Sequence, residues 1–211
     1  YFVMKKSKRI KKSNSWKIKQ HRDQFFKKSK TLGYRSRASF KLIELNQKFN
    51  FIKKNSNLLD LGSCPGGWSQ VVSHIITNGK ILAIDINEME PVKNVKFLKN
   101  DFTDKNSKVE IMTYFNENLD VIISDMAADT TGNKSLDSIR TNQLCANAIN
   151  FSKTTLKPKG VLVSKLFMGE DFIEVKNLAK SVFKKVNFFK PKSSRSESKE
   201  TYLHCETLKS L

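Results

Sequence analysis

Residues 58–69 read LLDLGSCPGGWS: a short apolar run carrying one acid breaks into a glycine-rich turn. Without side chains at Gly62, Gly66 and Gly67, the backbone can take φ/ψ values closed to other residues and lie directly against a ligand. The helix expected to follow offers free N–H groups. Strand, glycine turn and helix in that order commonly cradle nucleotides. The dinucleotide fingerprint is not met, because the position two after Gly62 is Cys64 and Pro65 stiffens the loop. This turns the reading from NAD or FAD toward a smaller adenosine ligand without a pyrophosphate, of which S-adenosylmethionine is the common one. The competing reading is an ordinary tight βα turn with no ligand.

Outward from this turn, apolar strand-like runs alternate with helical stretches. Strands are predicted near 57–60, 80–85, 95–98, 119–124 and 160–167, and helices near 67–77, 137–156 and 170–184. Before the turn, SFKLIELNQKF spaces Phe40, Ile43, Leu45 and Phe49 as one helix face, carries Lys41, and offers Ser36 as N-cap. A βαβ series of this kind predicts an α/β fold, a mostly parallel doubly wound sheet with its ligand at the C-terminal strand ends. Two further strands, near 186–190 and 201–207, flank the polar linker PKSSRSESKE.

Four polar residues fall where such a sheet places a site. Asp85 ends the second strand, 23 positions after Gly62, where an acid accepts hydrogen bonds from ribose hydroxyls. Asp101, with Phe102 beside it, follows the third strand and suits an adenine amine. Asp125 ends the fourth strand, and Lys165 interrupts the apolar fifth, LVSKLF. A central strand tolerates a lysine only if something pairs with it, and Asp125 is the natural partner. Each acid taken singly also fits a strand-end cap.

The 211 residues suffice for one α/β domain. Lys and Arg number 39 against 20 acids, and residues 1–54 hold 18 of the basic residues with only Asp23 and Glu44 opposing them. A near-neutral body with a basic arm is the electrostatic footprint of a nucleic-acid binder, against the alternative of a solvated tail. Residues 1–34 read as that arm, without sustained periodicity, with Trp16, Phe25 and Phe26 as anchors or base-stacking platforms; residues 35–211 read as the main domain. Lysines outnumber arginines 33 to 6, so Arg35, Arg37 and Arg195, each beside serines, stand out as candidate RNA phosphate contacts, with chance clustering as the alternative. No apolar stretch suggests export or a membrane span, and the arm is too poor in arginine for a typical mitochondrial presequence, so a cytoplasmic setting is expected. Cys64, Cys145 and Cys205 fit neither a disulfide framework nor zinc spacing. Met4 is a candidate start.

The runs YRSRASFKL, DLGSCPGGWSQ, SDMA, VSKLF with the following Gly169-Glu170, and SSRSESKETY, in this order, resemble the FtsJ-type ribosomal RNA large-subunit methyltransferases. The resemblance runs from about Ser15 to Glu206 and is strongest to the bacterial branch. It implies a Rossmann-like S-adenosylmethionine-dependent methyltransferase fold with a C-terminal antiparallel strand. A Lys-Asp-Lys-Glu tetrad falls on Lys41, Asp125, Lys165 and Glu200. Cofactor residues fall on Gly66, Trp68, Asp85, Asp101 and Asp125, joined by Gly62 from the turn and Phe102 after the third strand. Ser63 and Cys64 depart from the usual alanines, and Ala-Ala-Asp at 127–129 replaces the usual Ala-Pro-Asn.

The chemistry implied is in-line attack of a ribose 2′-hydroxyl on the sulfonium methyl, with Lys165 as base, Asp125 and Glu200 positioning it, and no metal. The expected substrate is a uridine in the A-loop of 23S ribosomal RNA, acted on by a monomer with the ribosomal RNA or large subunit as its partner. The alternatives are a transfer-RNA or cap-type 2′-O-methyltransferase, which shares the tetrad, and a non-catalytic RNA-binding ribosome assembly factor.

Overall fold

The computed structural model describes residues 24–169 and 171–210. The first 23 residues of the arm, including Trp16, lie outside them, as does Glu170. Helices α1 (Gln24–Thr31) and α2 (Ala38–Phe49) come first, then β1 (Leu58–Leu61), α3 (Gly67–Ile75), β2 (Ile81–Asp85), β3 (Lys96–Lys99) and α4 (Lys105–Phe115). They are followed by β4 (Leu119–Ser124), α5 (Lys134–Thr155), β5 (Leu156–Phe167), α6 (Phe172–Val182), β6 (Phe183–Phe189) and β7 (Glu200–Leu208).

The seven strands form one sheet in the order β3-β2-β1-β4-β5-β7-β6. The first five in that order pair in parallel, and β7 inserts antiparallel between β5 and β6. The order reverses between β1 and β4, where an open α/β sheet leaves its ligand crevice. β1 and β4 are covered on both sides, so LLDL and VIIS read as continuous apolar runs rather than alternating ones. On one face Leu42 and Leu45 of α2 and Trp68, Val71 and Val72 of α3 pack on Leu58, Val121, Ile123 and Val163. On the other, Ile111 and Phe115 of α4, Ala148 and Ile149 of α5, and Val175 and Ala179 of α6 pack on Leu59, Leu61, Ile122 and Leu162.

Two local expectations are corrected. Arg37, not Ser36, stands at the N-cap of α2, and no side chain caps it. Ser36 lies instead against Gly67, where an added Cβ would overlap its hydroxyl. The arm does contain periodic structure: α1 seats Phe25 on Phe40 with ring centroids 5.6 Å apart, which favours anchoring for that aromatic. Helix α4, absent from the sequence reading, is started by Asp104, whose carboxylate accepts from the Asn106 N–H.

Asp60 is the polar exception inside β1. Its side chain points to the α2/α3 face, fully buried, where Ser69 at the start of α3 donates to it at 2.7 Å. Burial pushes its carboxyl up to about 7; the Ser69 hydrogen bond opposes this, while Asp125 and Asp85 add to it. The folded state therefore keeps a proton that the unfolded chain has lost, and stability should fall as pH rises from about 4 to about 7. The gap from an ordinary aspartate corresponds to roughly 4 kcal/mol once Asp60 is ionised. Asp60→Asn can still accept from Ser69 and should remove this slope. In urea titrations of the ligand-free protein, the variant should be the more stable form above pH 7, with the difference fading toward pH 4. A difference that does not change with pH would mean that Asp60 ionises normally.

Candidate active site

Strand pairing explains why four distant residues meet. Along β5, Val163 and Lys165 point to the α2/α3 face, and on β7 Tyr202 stands directly opposite Lys165 in the antiparallel ladder. Glu200 lies two residues earlier on β7 and so shares that face. Asp125 follows the last residue of β4, the parallel neighbour of β5. Lys41, in the first turn of α2, comes down on the same cluster from above the sheet.

The contacts are close. Lys165 Nζ donates to Asp125 Oδ1 at 2.9 Å and to the Asp125 carbonyl at 2.6 Å. Lys41 Nζ meets Glu200 Oε2 at 2.7 Å. The four side chains retain between 8% and 18% of their exposure, so the cluster is a pair of nearly buried ion pairs with no net charge. Charges at this depth persist only when paired and hydrogen-bonded. Burial alone would raise the Asp125 carboxyl, but Lys165 and then Lys41 outweigh it and hold it below its usual range.

Sequence reasoning missed several partners. The Tyr202 hydroxyl donates to Asp125 Oδ1 at 2.5 Å, and burial followed by the charge of Asp125 pushes the phenol well above its ordinary range. Ser194 Oγ donates to Glu200 Oε1 at 2.7 Å. Glu44 of α2 accepts from the N–H groups of Lys192 and Ser193 at 2.6 and 2.9 Å, tying down the loop that delivers Glu200. The spacing of Tyr202 from Glu200, two along a strand, was the available signal.

Beside this cluster lies the glycine turn. Gly62 (φ +70°) and Gly66 (φ +104°) take left-handed conformations. A Cβ on Gly62 would overlap Met126 Cγ, so the chain leaving β4 packs directly on the turn. Trp68 is buried and its indole N–H donates to the Ala38 carbonyl at 2.8 Å. Asp85 at the end of β2 accepts from the N–H groups of Cys64 and Asn87 at 2.9 and 2.8 Å, which aims its carboxylate across the turn. Asp101 is exposed with Oδ1 held by Thr103, and Phe102 is buried behind it. The turn, Asp85 and Asp101 thus line the C-terminal ends of β1, β2 and β3, with the tetrad at the ends of β4 and β5. The Ala-Ala-Asp departure has a use: the Ala128 N–H, which proline would lack, donates to Thr141 Oγ1 at 3.2 Å.

The three arginines differ in placement. Arg195 is exposed in the loop before β7. Arg37 donates to the Ser193 carbonyl and lies over the Phe25 ring at 5.9 Å; burial and then Arg195 lower its pKa. The Arg35 guanidinium faces three main-chain carbonyls around the glycine turn. Among the described residues, no group of three or more His, Cys, Asp or Glu could hold a metal ion, and no helix is long and apolar enough to cross a membrane.

Known proteins are similar to this chain along most of its length. Ribosomal RNA large subunit methyltransferase E of Pelagibacter ubique is 44% identical over 197 residues, covering 93% of this chain and 97% of that protein. The protein of the same name from Rickettsia akari is 42% identical over 207 residues, covering 95% and 91%. A crystal structure of a Plasmodium falciparum protein described as a ribosomal RNA methyltransferase superposes with a TM-score of 0.75 at 33% identity, over 83% of this chain and 98% of that one. The family model for FtsJ-like methyltransferases matches residues 34–208, a span that holds the glycine turn, both ion pairs and every strand of the sheet. The chain therefore belongs to the FtsJ-like methyltransferase family, and it is a methyltransferase of mixed α/β, Rossmann-like fold.

Proposed function

We propose that the chain methylates a ribose 2′-hydroxyl in large-subunit 23S ribosomal RNA, a uridine of the A-loop, using S-adenosylmethionine. The observation that carries this reading is Lys165, whose ammonium meets both the carboxylate and the carbonyl of Asp125 beside a glycine-rich turn. The names of the relatives point to the same class of substrate.

The turn fits the cofactor. Gly62 and Gly66 let the turn's backbone take left-handed conformations closed to other residues, Asp85 would accept from the cofactor's ribose hydroxyls, and Asp101 with Phe102 would take the adenine edge. When bound, S-adenosylmethionine supplies an electrophilic methyl group. The chain's own residues do the rest. A ribose hydroxyl is a weak acid, so a base must take its proton as the methyl moves. A neutral lysine amine has two N–H groups and a lone pair. Once the Lys165 ammonium has given one proton to solvent, Asp125 can hold the two N–H groups that remain, and the lone pair is left for the hydroxyl proton. Lys165, then Lys41 and the Tyr202 hydroxyl, hold Asp125 in its ionised form, and Glu200 fixes Lys41 in turn. The basic arm, with Arg37 and Arg195 on the flank of the site, supplies affinity for RNA backbone without reading sequence. The cytoplasmic setting expected for the chain suits that substrate.

Lys165→Ala should abolish methyl transfer to large ribosomal subunits in single-turnover assays while cofactor and RNA affinities stay within a few fold, because the lost interaction acts in the transition state. Lys165→Arg should fail equally, since guanidinium does not deprotonate near neutral pH. Near-normal turnover by the arginine variant would exclude proton transfer to Lys165. Parallel assays on transfer RNA and capped RNA, with the modified nucleotide mapped, separate the ribosomal reading from the alternatives.

Asp85→Ala should weaken S-adenosylmethionine binding by roughly 10- to 100-fold, as buried ribose hydroxyls lose their acceptor at about 1–3 kcal/mol. Calorimetry showing unchanged affinity would remove Asp85 from the cofactor site.

A further inference from the structure

We propose that Arg35 is a positioning residue for the cofactor turn, a guanidinium strut that sets the gap between the loops after β1 and β2. This rests on the reading of that turn as the cofactor site. Nη1 of Arg35 donates to the Pro65 carbonyl at 3.2 Å and to the Glu90 carbonyl at 2.6 Å, and Nη2 donates to the Pro91 carbonyl at 2.7 Å. Pro65 lies in the glycine turn; Glu90 and Pro91 lie in the loop between β2 and β3. One planar group thus bridges the two loops whose near ends carry the glycine cradle and Asp85.

Three carbonyl dipoles converging on one point repel each other unless a cation sits between them. A guanidinium is suited to that place, because its donors spread in a rigid plane and serve several acceptors at once. Its backbone is registered as well. Gln70 of α3 accepts from the Arg35 N–H at 2.8 Å and donates to the Gly33 carbonyl at 3.1 Å. The helix that begins at the turn therefore holds the strut's own main chain.

Gly66 shows how tightly the strut is seated. A Cβ there would stand 2.6 Å from Arg35 Nη1 and 3.1 Å from Met89 Sδ, so the turn can approach the guanidinium only as glycine. On the opposite side the same two loops are joined by the Cys64 N–H to Asp85 Oδ2 at 2.9 Å and by Cys64 Sγ to the Glu88 carbonyl at 3.4 Å. Asp85 is aimed by contacts whose partner loop Arg35 holds in place. The strut acts through the turn and Asp85, without itself touching the reacting atoms.

The test uses the full chain with Arg35→Lys and Arg35→Gln. Lysine keeps the charge and loses the fork. Calorimetric titration with S-adenosylmethionine and S-adenosylhomocysteine should show affinity for both weakened by about 10- to 100-fold in each variant, the scale of losing a hydrogen bond to a charged group. KM for S-adenosylmethionine should rise in step, while kcat at saturating cofactor on large ribosomal subunits should stay within about twofold, because chemistry at Lys165 is untouched. The salt slope of ribosomal RNA binding should not change.

Full cofactor affinity in Arg35→Lys would overturn the strut. So would unchanged cofactor affinity with a salt slope reduced by about one in Arg35→Gln, the mark of a phosphate contact. Amide hydrogen exchange without cofactor gives a readout independent of the functional reading. Exchange at residues 63–67 and 86–92 should quicken together in Arg35→Lys, and unchanged exchange in both loops would also overturn the proposal. Should the unaltered protein bind no S-adenosylmethionine, the cofactor reading fails by itself, and the exchange data still decide the role of Arg35.

Discussion

A lysine inside a central strand is stable only where a carboxylate meets it, and the arrangement of this molecule follows from how Lys165 meets Asp125. Leaving one partner of such a pair buried alone costs about 3–5 kcal/mol, a large share of the stability of a domain this size. The ion pair requires β4 and β5 to be parallel neighbours in the register that sets Ser124 beside Ser164, so that the residues after them, Asp125 and Lys165, come level. The second pair, Lys41 with Glu200, extends the requirement to α2 and β7. Two ion pairs therefore bind four separate segments of chain to one position above the sheet.

The glycine turn depends on the same geometry through a different set of contacts. Residues 33–39, from the end of the arm into the first turn of α2, are laced to it and to α3. Gln70 holds Gly33 and Arg35, Ser39 Oγ donates to the Gly67 carbonyl at 2.9 Å, and the Trp68 indole donates to the Ala38 carbonyl. The helix that carries Lys41 is thus fixed against the turn that would hold the methyl donor. The ion-pair cluster and the glycine turn thus share one piece of structure, as the proposed reaction, with three atoms in line, would demand. Seen in these contacts, segment 33–39 belongs to the site as much as to the basic arm that precedes it.

What could be read beforehand followed local signals. The alternation of strands and helices, the glycine turn, Asp85 at its strand end and Lys165 among apolar neighbours are each visible within a dozen residues, and the structure brings them together. Helix α4 escaped because KNSKVEIMTYF buries only Ser107, Ile111 and Phe115, too few for a clear 3.6-residue period; the Asp104 cap was its one local mark. The Ser36 cap failed because that hydroxyl packs on Gly67, a tertiary contact that overrides a local preference. Tyr202 and Glu44 act across 77 and 148 positions of sequence, and no periodicity records partnerships of that range. Arg35 could be noticed as an arginine in a lysine-rich chain, but its acceptors are carbonyls 30 and more positions away, and a carbonyl has no residue type to read.

The antiparallel sense of β7 is the topological device that completes the cluster. In a parallel sheet every strand points its C-terminal end at the ligand, and the side chains near each strand's start lie at the far edge. A parallel seventh strand would have delivered only its last residues to the site. Running the other way, β7 starts at the ligand edge. Its first residue, Glu200, pairs with Phe167 at the end of β5, and Tyr202 falls opposite Lys165. The loop before it, residues 190–199, is brought to the same edge and secured by Glu44 and by Lys190, which donates to the Ser196 and Ser198 carbonyls. That loop carries Arg195, so one reversed strand places an acceptor and a donor of the buried network, Glu200 and Tyr202, and an exposed arginine at the same edge. Strand direction, more than any single side chain, lets one edge of the sheet carry both the glycine turn and the cluster around Lys165.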